Sequence, residues 1–309
     1  MHLTSMIPVL AGFECGRLGW NGHDLLLTTR HVPGDRMATH YRLALDHGLL
    51  RARDGLPWRH DVARRLQVAD ALGADVIWDL NHFDPPEDPI RHARAVALAA
   101  RPDRPLWICP VNEPSIYPML VGMSQNDAVR LAVTLVQVAK DHHADVRVLT
   151  ADPLNGVGER QFEATDALVA QGFVDMVGVN YYPHTARTSL SKVLVKTARR
   201  YRLPILVAET SWHDGHREQG RRHPGWNKGD WLRHVRMESE AAVAKGADVV
   251  GLCWYPVVDS PPWNHPGSRR RWSHGLVRAD LSVDPHLAAA LAEHRQPTGQ
   301  LSLDYAVGG

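Results

Sequence analysis

The feature that most constrains this chain is a joint that recurs three times. Leu72-Gly73-Ala74-Asp75-Val76, Gln171-Gly172-Phe173-Val174-Asp175 and Lys245-Gly246-Ala247-Asp248-Val249 each read as a helix stop running straight into an apolar strand. A glycine just past the last helical residue is the usual helix terminator. Short apolar runs of the kind buried on both faces occur at 7–12, 49–56, 75–80, 105–109, 146–150, 175–179, 204–208 and 249–253. Helical periodicity fills most of the intervals, at 35–47, 61–72, 126–142, 161–171, 189–201, 229–245 and 286–295. Such joints with right-handed crossovers build parallel sheets. Eight of these units in 309 residues predict one α/β domain, a (β/α)8 TIM barrel over 1–309 in which 297–309 is a tail. A doubly wound sheet competes, but it often carries a glycine-rich phosphate loop, and the chain has neither GxGxxG nor a Walker motif.

Composition removes several classes. Hydrophobic residues make up 44% and charged residues 22%, which excludes a disordered or fibrous chain. Lys plus Arg number 35 against 34 acids, so there is no basic excess for nucleic acid. No apolar run approaches the length of a membrane span, and the apolar patch before Gly12 lacks the basic flank of a signal peptide. Cys15, Cys109 and Cys253 are odd in number and far apart, which fits neither a disulfide framework nor paired zinc ligands. They read as buried thiols in a reducing, cytoplasmic setting. Nineteen histidines come without HExxH or Cys/His pairing, so no metal site is expected. His213, His216 and His223 follow strand 7 and are placed at the mouth of the barrel. Nothing in the sequence speaks to the oligomeric state.

Barrel chemistry sits at the C-terminal ends of the strands. Strand 4 is followed by Pro110-Val111-Asn112-Glu113-Pro114, and strand 7 by Glu209-Thr210-Ser211-Trp212. Each puts a carboxylic acid directly behind a buried strand, where a charge is costly unless paired. Strands 4 and 7 are three apart in an eight-strand ring, so Glu113 and Glu209 face each other across the mouth. Two such carboxyls are the equipment of glycoside hydrolysis.

The motifs around them resemble clan A of the glycoside hydrolases, and within it family 1, the β-glucosidase family. Asn112-Glu113-Pro114 and Glu209 are similar to that clan's paired glutamates, and Arg53-Asp54-Gly55-Leu56-Pro57-Trp58 to the family's strand-2 motif. Asn81-His82-Phe83-Asp84 is similar to its strand-3 segment, and Gly178-Val179-Asn180-Tyr181-Tyr182 to its strand-6 segment. Trp254, Asp259 and Trp263 resemble its strand-8 loop, and His274-Gly275-Leu276-Val277 its closing segment. The resemblance implies a retaining β-glycosidase without metal or organic cofactor, acting on a carbohydrate or small glycoside, with no nucleic-acid or membrane partner. Glu113 would be the acid/base and Glu209 the nucleophile. Arg53 and Tyr182 would lie beside Glu209. Asn112, His82, Asn180 and Trp263 would bind the substrate, and Trp254 would form the floor under the ring. An endo-acting glycanase with an open cleft, a transglycosidase and an inactive sugar-binding barrel are the alternatives. The chain is short for the family. Pro262 stands where the family carries a Glu just before its last Trp, and Phe13-Glu14-Cys15 where it has a strand-1 Gln. Counted from Trp254, the strand-8 loop is one residue too long. These departures imply looser discrimination among sugars.

Overall fold

The computed structural model describes residues 7–18, 22–49, 51–154, 160–185, 187–263 and 265–293. The expected tail at 297–309 and the last two residues of the expected helix 286–295 lie outside them.

Eight parallel strands close into a barrel. In chain order they are Val9–Gly12, Arg51–Gly55, Asp75–Asp79, Leu106–Cys109, Val146–Pro153, Met176–Asn180, Ile205–Thr210 and Val249–Trp254. The first pairs with the second (Ala11 opposite Ala52) and with the eighth (Val9 opposite Leu252), which completes the ring. A two-stranded ribbon, Arg17–Leu18 with His23–Asp24, sits outside it. Among the described residues, no helix is long and apolar enough to cross a membrane.

Side-chain alternation along the strands makes two cores. Leu10, Ile77, Cys109, Leu149, Met176, Leu206, Ala208 and Cys253 fill the interior, while Trp78, Ile108, Val148, Val207, Leu252 and Trp254 pack outward against the helices. The glycines at the three recurring joints, Gly73, Gly172 and Gly246, have φ of 65°, 68° and 86°, the left-handed conformation expected of them.

The one interval for which no helix was expected holds one. Pro89–Ala99 lies between strands 3 and 4, with Asp88 accepting from the Arg91 amide and Pro89 in the first turn. Its buried face is His92, Ala93, Val96 and Ala97. Small residues and a histidine give little apolar periodicity, and no glycine follows, so the pattern was faint in the sequence.

Candidate active site

The strand ends bring most of the expected residues into one hydrogen-bonded array. Interior alternation on strand 2 points Arg53 into the barrel, where it is fully buried. Its Nε and Nη2 donate to Asp79 at 2.8 and 2.9 Å, Nη1 to Glu209 Oε1 at 3.0 Å, and Nη2 also to Asn112 Oδ1 at 2.7 Å. One guanidinium thus ties together the ends of strands 2, 3, 4 and 7. Its planar fork suits that task better than an ammonium would.

Glu209 reaches the pocket because strand 7 is bulged. Val207 pairs with Val179 and then Glu209 with Asn180 on one side; on the other, Val207 pairs with Leu252 and then Thr210 with Trp254. Both neighbours skip a residue there, so Ala208 and Glu209 both turn inward. Re-aiming one side chain beside a site is a common use of a bulge. Tyr182 donates its hydroxyl to Glu209 Oε2 at 2.7 Å, opposite the Arg53 contact on Oε1. Burial raises the Glu209 carboxyl, and the Arg53 charge and the Tyr182 hydrogen bond act against that rise.

Glu113 has different surroundings. It leaves strand 4 with φ 48° and ψ 56°, a left-handed conformation unusual for a side chain with a Cβ. Its Oε1 accepts from Asn180 Nδ2 at 2.9 Å, and no cation among the described residues bonds to it. Burial, and then the Glu209 charge, push its carboxyl up to about 8. Of the two acids, Glu113 is the one whose surroundings favour the protonated form more. Asn180 Oδ1 is buried with no partner among the described residues, an acceptor available to an occupant of the pocket.

The pocket itself has a volume of about 290 Å³. Glu113, Glu209, Asn180, Tyr182 and Trp263 line it, as do His213 and His216 from the loop after strand 7; His223 instead packs on Trp226. Arg53, Asn112 and His82 lie behind the lining. His82 meets Asn112 Nδ2 through Nε2 at 3.0 Å and Asp79 through Nδ1 at 3.2 Å.

Trp254, expected as the floor under the sugar ring, instead faces away from the pocket. It is 1% exposed, belongs to the outer core and donates its indole N–H to His274 O at 2.8 Å. Cys253 faces inward on the same strand, so the next inward residue is Tyr255, and Tyr255 lines the pocket where Trp254 was expected. Counting the loop from Tyr255 to Trp263 also removes its apparent extra residue. Asp259 holds that loop by accepting from the amides of His274 and Gly275 at 3.1 and 2.8 Å. A Cβ on Gly275 would lie 2.6 Å from the Asp259 amide, so only glycine fits there.

Sequence reasoning also passed over Asp79 and left Glu14 without a role. Asp79 carried a signal, since it ends the apolar run Val76-Ile77-Trp78 on the inward parity of Ile77. Cys15, Asp79 and His82 have ligand atoms close enough to share an ion. Both Asp79 oxygens are taken by Arg53, however, and burial raises the Cys15 thiol well above its usual range, away from the thiolate a metal needs.

No protein-family model and no curated protein matches this sequence. Solved structures do match. The family 1 β-glucosidase from Thermotoga maritima superposes with a TM-score of 0.68 at 13% identity, covering 93% of this chain and 96% of that one. The same enzyme in complex with galacto-hydroximolactam gives 0.69 at 13% identity over 93% and 97%. A hyperthermophilic β-glucosidase mutant gives 0.65 at 15% identity over 93% and 99%. The structure of this chain matches that of the family 1 β-glucosidases over 93% of its length, at an identity that establishes the fold.

Proposed function

We propose that this protein is a retaining β-glycosidase. The observation that carries the reading is the unequal environment of two facing buried carboxyls. Glu209 has a guanidinium on one oxygen and a phenol on the other, whereas Glu113 has a single amide donor among the described residues. That asymmetry suits a charged nucleophile and a protonated acid. Glu209 attacks the anomeric carbon and forms a glycosyl ester. As the glycosidic bond breaks, Glu113 gives its proton to the departing oxygen. Glu113, now a carboxylate, takes a proton from water, whose oxygen bonds to the anomeric carbon as the bond to Glu209 breaks. The Thermotoga maritima enzyme that shares the fold has been solved with glucoimidazole, which agrees with a sugar-shaped occupant. Ile116, Met119 and Leu120 on one wall, with His213 and Trp272 on another, give the outer pocket an apolar and aromatic lining suited to an aryl or alkyl aglycone.

Two variants test the roles. Glu209→Ala should lose several orders of magnitude in rate with every leaving group, and azide should restore turnover with inverted product. Glu113→Ala should lose about 10²–10⁴-fold on glycosides whose leaving group needs a proton. It should still form and accumulate the glycosyl-enzyme from a dinitrophenyl glycoside. Identical behaviour of the two variants towards good leaving groups and azide would refute the assignment.

A further inference from the structure

The helix Leu190–Tyr201 carries Lys192, Lys196, Arg199 and Arg200 and no acid, in a chain whose net charge is only +1. Arg199 and Arg200 lie in its last turn, where the helix dipole favours a cation, and Arg200 is paired with Asp166. Lys192 has neither reason. It lies in the first turn, at the positive end of the dipole, and one helical turn before Lys196, a spacing at which like charges repel. Lys192, Lys196 and Arg199 share one face of the helix and span about 10 Å along its axis. That face is one wall of a groove of about 280 Å³, and Lys245, just past the helix Lys228–Val243, enters it from a second element. The Glu238 carboxylate, on that second helix, is turned to the Ser191 amide at 3.0 Å. Among the described residues no acid lies within ion-pair distance of any of the four groove cations, all of which are exposed. The groove shares no residue with the pocket at the strand ends.

We propose that this groove is a binding site for a compact oligophosphate anion, the phosphate chain that occurs free or on a nucleotide. Cations gathered around a concavity repel one another, and an anion seated there removes the repulsion. The donors fix the ligand class. Arg199 offers a planar fork that fits two oxygens of one phosphate, and the three lysines supply point charges to the others. A linear triphosphate can meet the whole stripe, whereas a single phosphate meets one end of it. A duplex presents its phosphates along a rod and a membrane presents them in a plane, but these four cations converge on one concavity. The site stands independently of the glycosidase reading.

Calorimetric titration of inorganic triphosphate into the full chain, in magnesium-free buffer, tests this. The parent should bind a single equivalent, with an affinity that falls as salt rises, because exposed charges are screened. Orthophosphate should bind at least about tenfold more weakly, since it meets fewer cations. Lys192→Gln, Lys196→Gln, Arg199→Gln and Lys245→Gln should each weaken triphosphate binding by about 3- to 10-fold, the range for one exposed charged contact. These side chains are exposed, so the variants should fold as the parent does. Arg94→Gln removes the same charge from an exposed position on the helix Pro89–Ala99 and should change the affinity by less than about twofold. ATP that binds with the same dependence on the four cations makes a nucleotide the source of the phosphate chain; triphosphate binding without ATP binding makes the source the free anion, and both outcomes support the site. Absence of saturable binding overturns the proposal. An equal loss in Arg94→Gln does so too, since it would reveal attraction to overall charge alone. Displacement of triphosphate by galacto-hydroximolactam would put the anion in the pocket at the strand ends and overturn it as well. Tighter binding of duplex DNA or of phosphatidylserine vesicles, lost in the same variants, would replace the compact anion by a macromolecular surface.

Discussion

At the scale of single residues, the site is a contrast between two carboxyls, and pH exposes the contrast. Glu113 serves as an acid only while protonated, and burial followed by the Glu209 charge pushes it up to about 8. On the proposed mechanism, kcat/KM falls on the alkaline side as pH passes through that region. Glu209 serves only while ionised, so it governs the acid side. Tyr182 donates to Glu209 Oε2 and so favours the ionised form. Tyr182→Phe removes that donor and should raise the Glu209 pKa. The acid limb of the kcat/KM profile then moves to higher pH while the alkaline limb stays, with a loss of about tenfold near the optimum, the worth of one hydrogen bond to a charge. Profiles of parent and variant on one aryl glycoside check this; movement of the alkaline limb alone would exchange the two roles. Both acids were legible in the sequence because a carboxyl behind an apolar run has no ordinary structural reading. The partners of Glu209, Arg53 and Tyr182, were expected only through the family resemblance, since they come from strands 2 and 6 and meet Glu209 only after closure.

At the scale of elements, side-chain parity decides which residue serves the pocket. Asp54 neighbours Arg53 and points the other way. It accepts two bonds from Arg65 Nη2 at 2.8 Å, one from Tyr41 at 2.9 Å and meets His31 at 3.0 Å, all buried outside the barrel. Tyr41 lies on the helix Met37–Asp46 and Arg65 on Val62–Ala71, so this cluster docks two helices onto strand 2. Arg53 and Asp54 thus divide the work of one motif between chemistry and scaffold. Asp54→Ala leaves Arg65 charged, buried and missing its acid, at a cost of about 3–5 kcal/mol, readable by urea unfolding. Burial opposes ionisation of Asp54, but Arg65 and His31 outweigh it and bring the pKa down to about 2. That depressed value contributes stability above the unfolded pKa near 3.9, lost as pH falls towards 2. In Asp54→Ala this part of the acid dependence should disappear. Parity also explains the Trp254 difference. A one-residue offset exchanges pocket and outer core, and two adjacent aromatics, Trp254 and Tyr255, look equally suitable in a linear sequence.

At the scale of the whole molecule, closure of the ring was the most legible feature. Strands buried on both faces announce themselves as apolar runs, and the glycine joints set the phase of the helix-to-strand alternation. What one sequence does not display is which loops cover the mouth. The chain is short for the family it resembles, which left an open endo-acting cleft as a rival to a pocket. The structure bears on that choice through strands far apart in sequence. Trp263 reaches back to Glu14 across the junction of strands 8 and 1, with Tyr255 joined to the same carboxylate, and this wall stands on the far side from Glu113. A polymer threading through an endo site needs room for sugars on both sides of the scissile bond. Here one side is closed by three hydrogen-bonded side chains, and the cavity, at about 290 Å³, is at the small end for ligand sites. The other side opens between Met119, which is 69% exposed, and the histidine loop. The molecule should therefore remove single terminal sugars, with the aglycone pointing outward. Aryl β-monoglycosides should be turned over, oligosaccharides should shorten by one unit from the non-reducing end, and soluble β-glucans should keep their viscosity while reducing ends appear slowly. A rapid fall in viscosity ahead of reducing-end release would show internal cleavage, and would mean that the Glu14–Trp263 wall opens in solution.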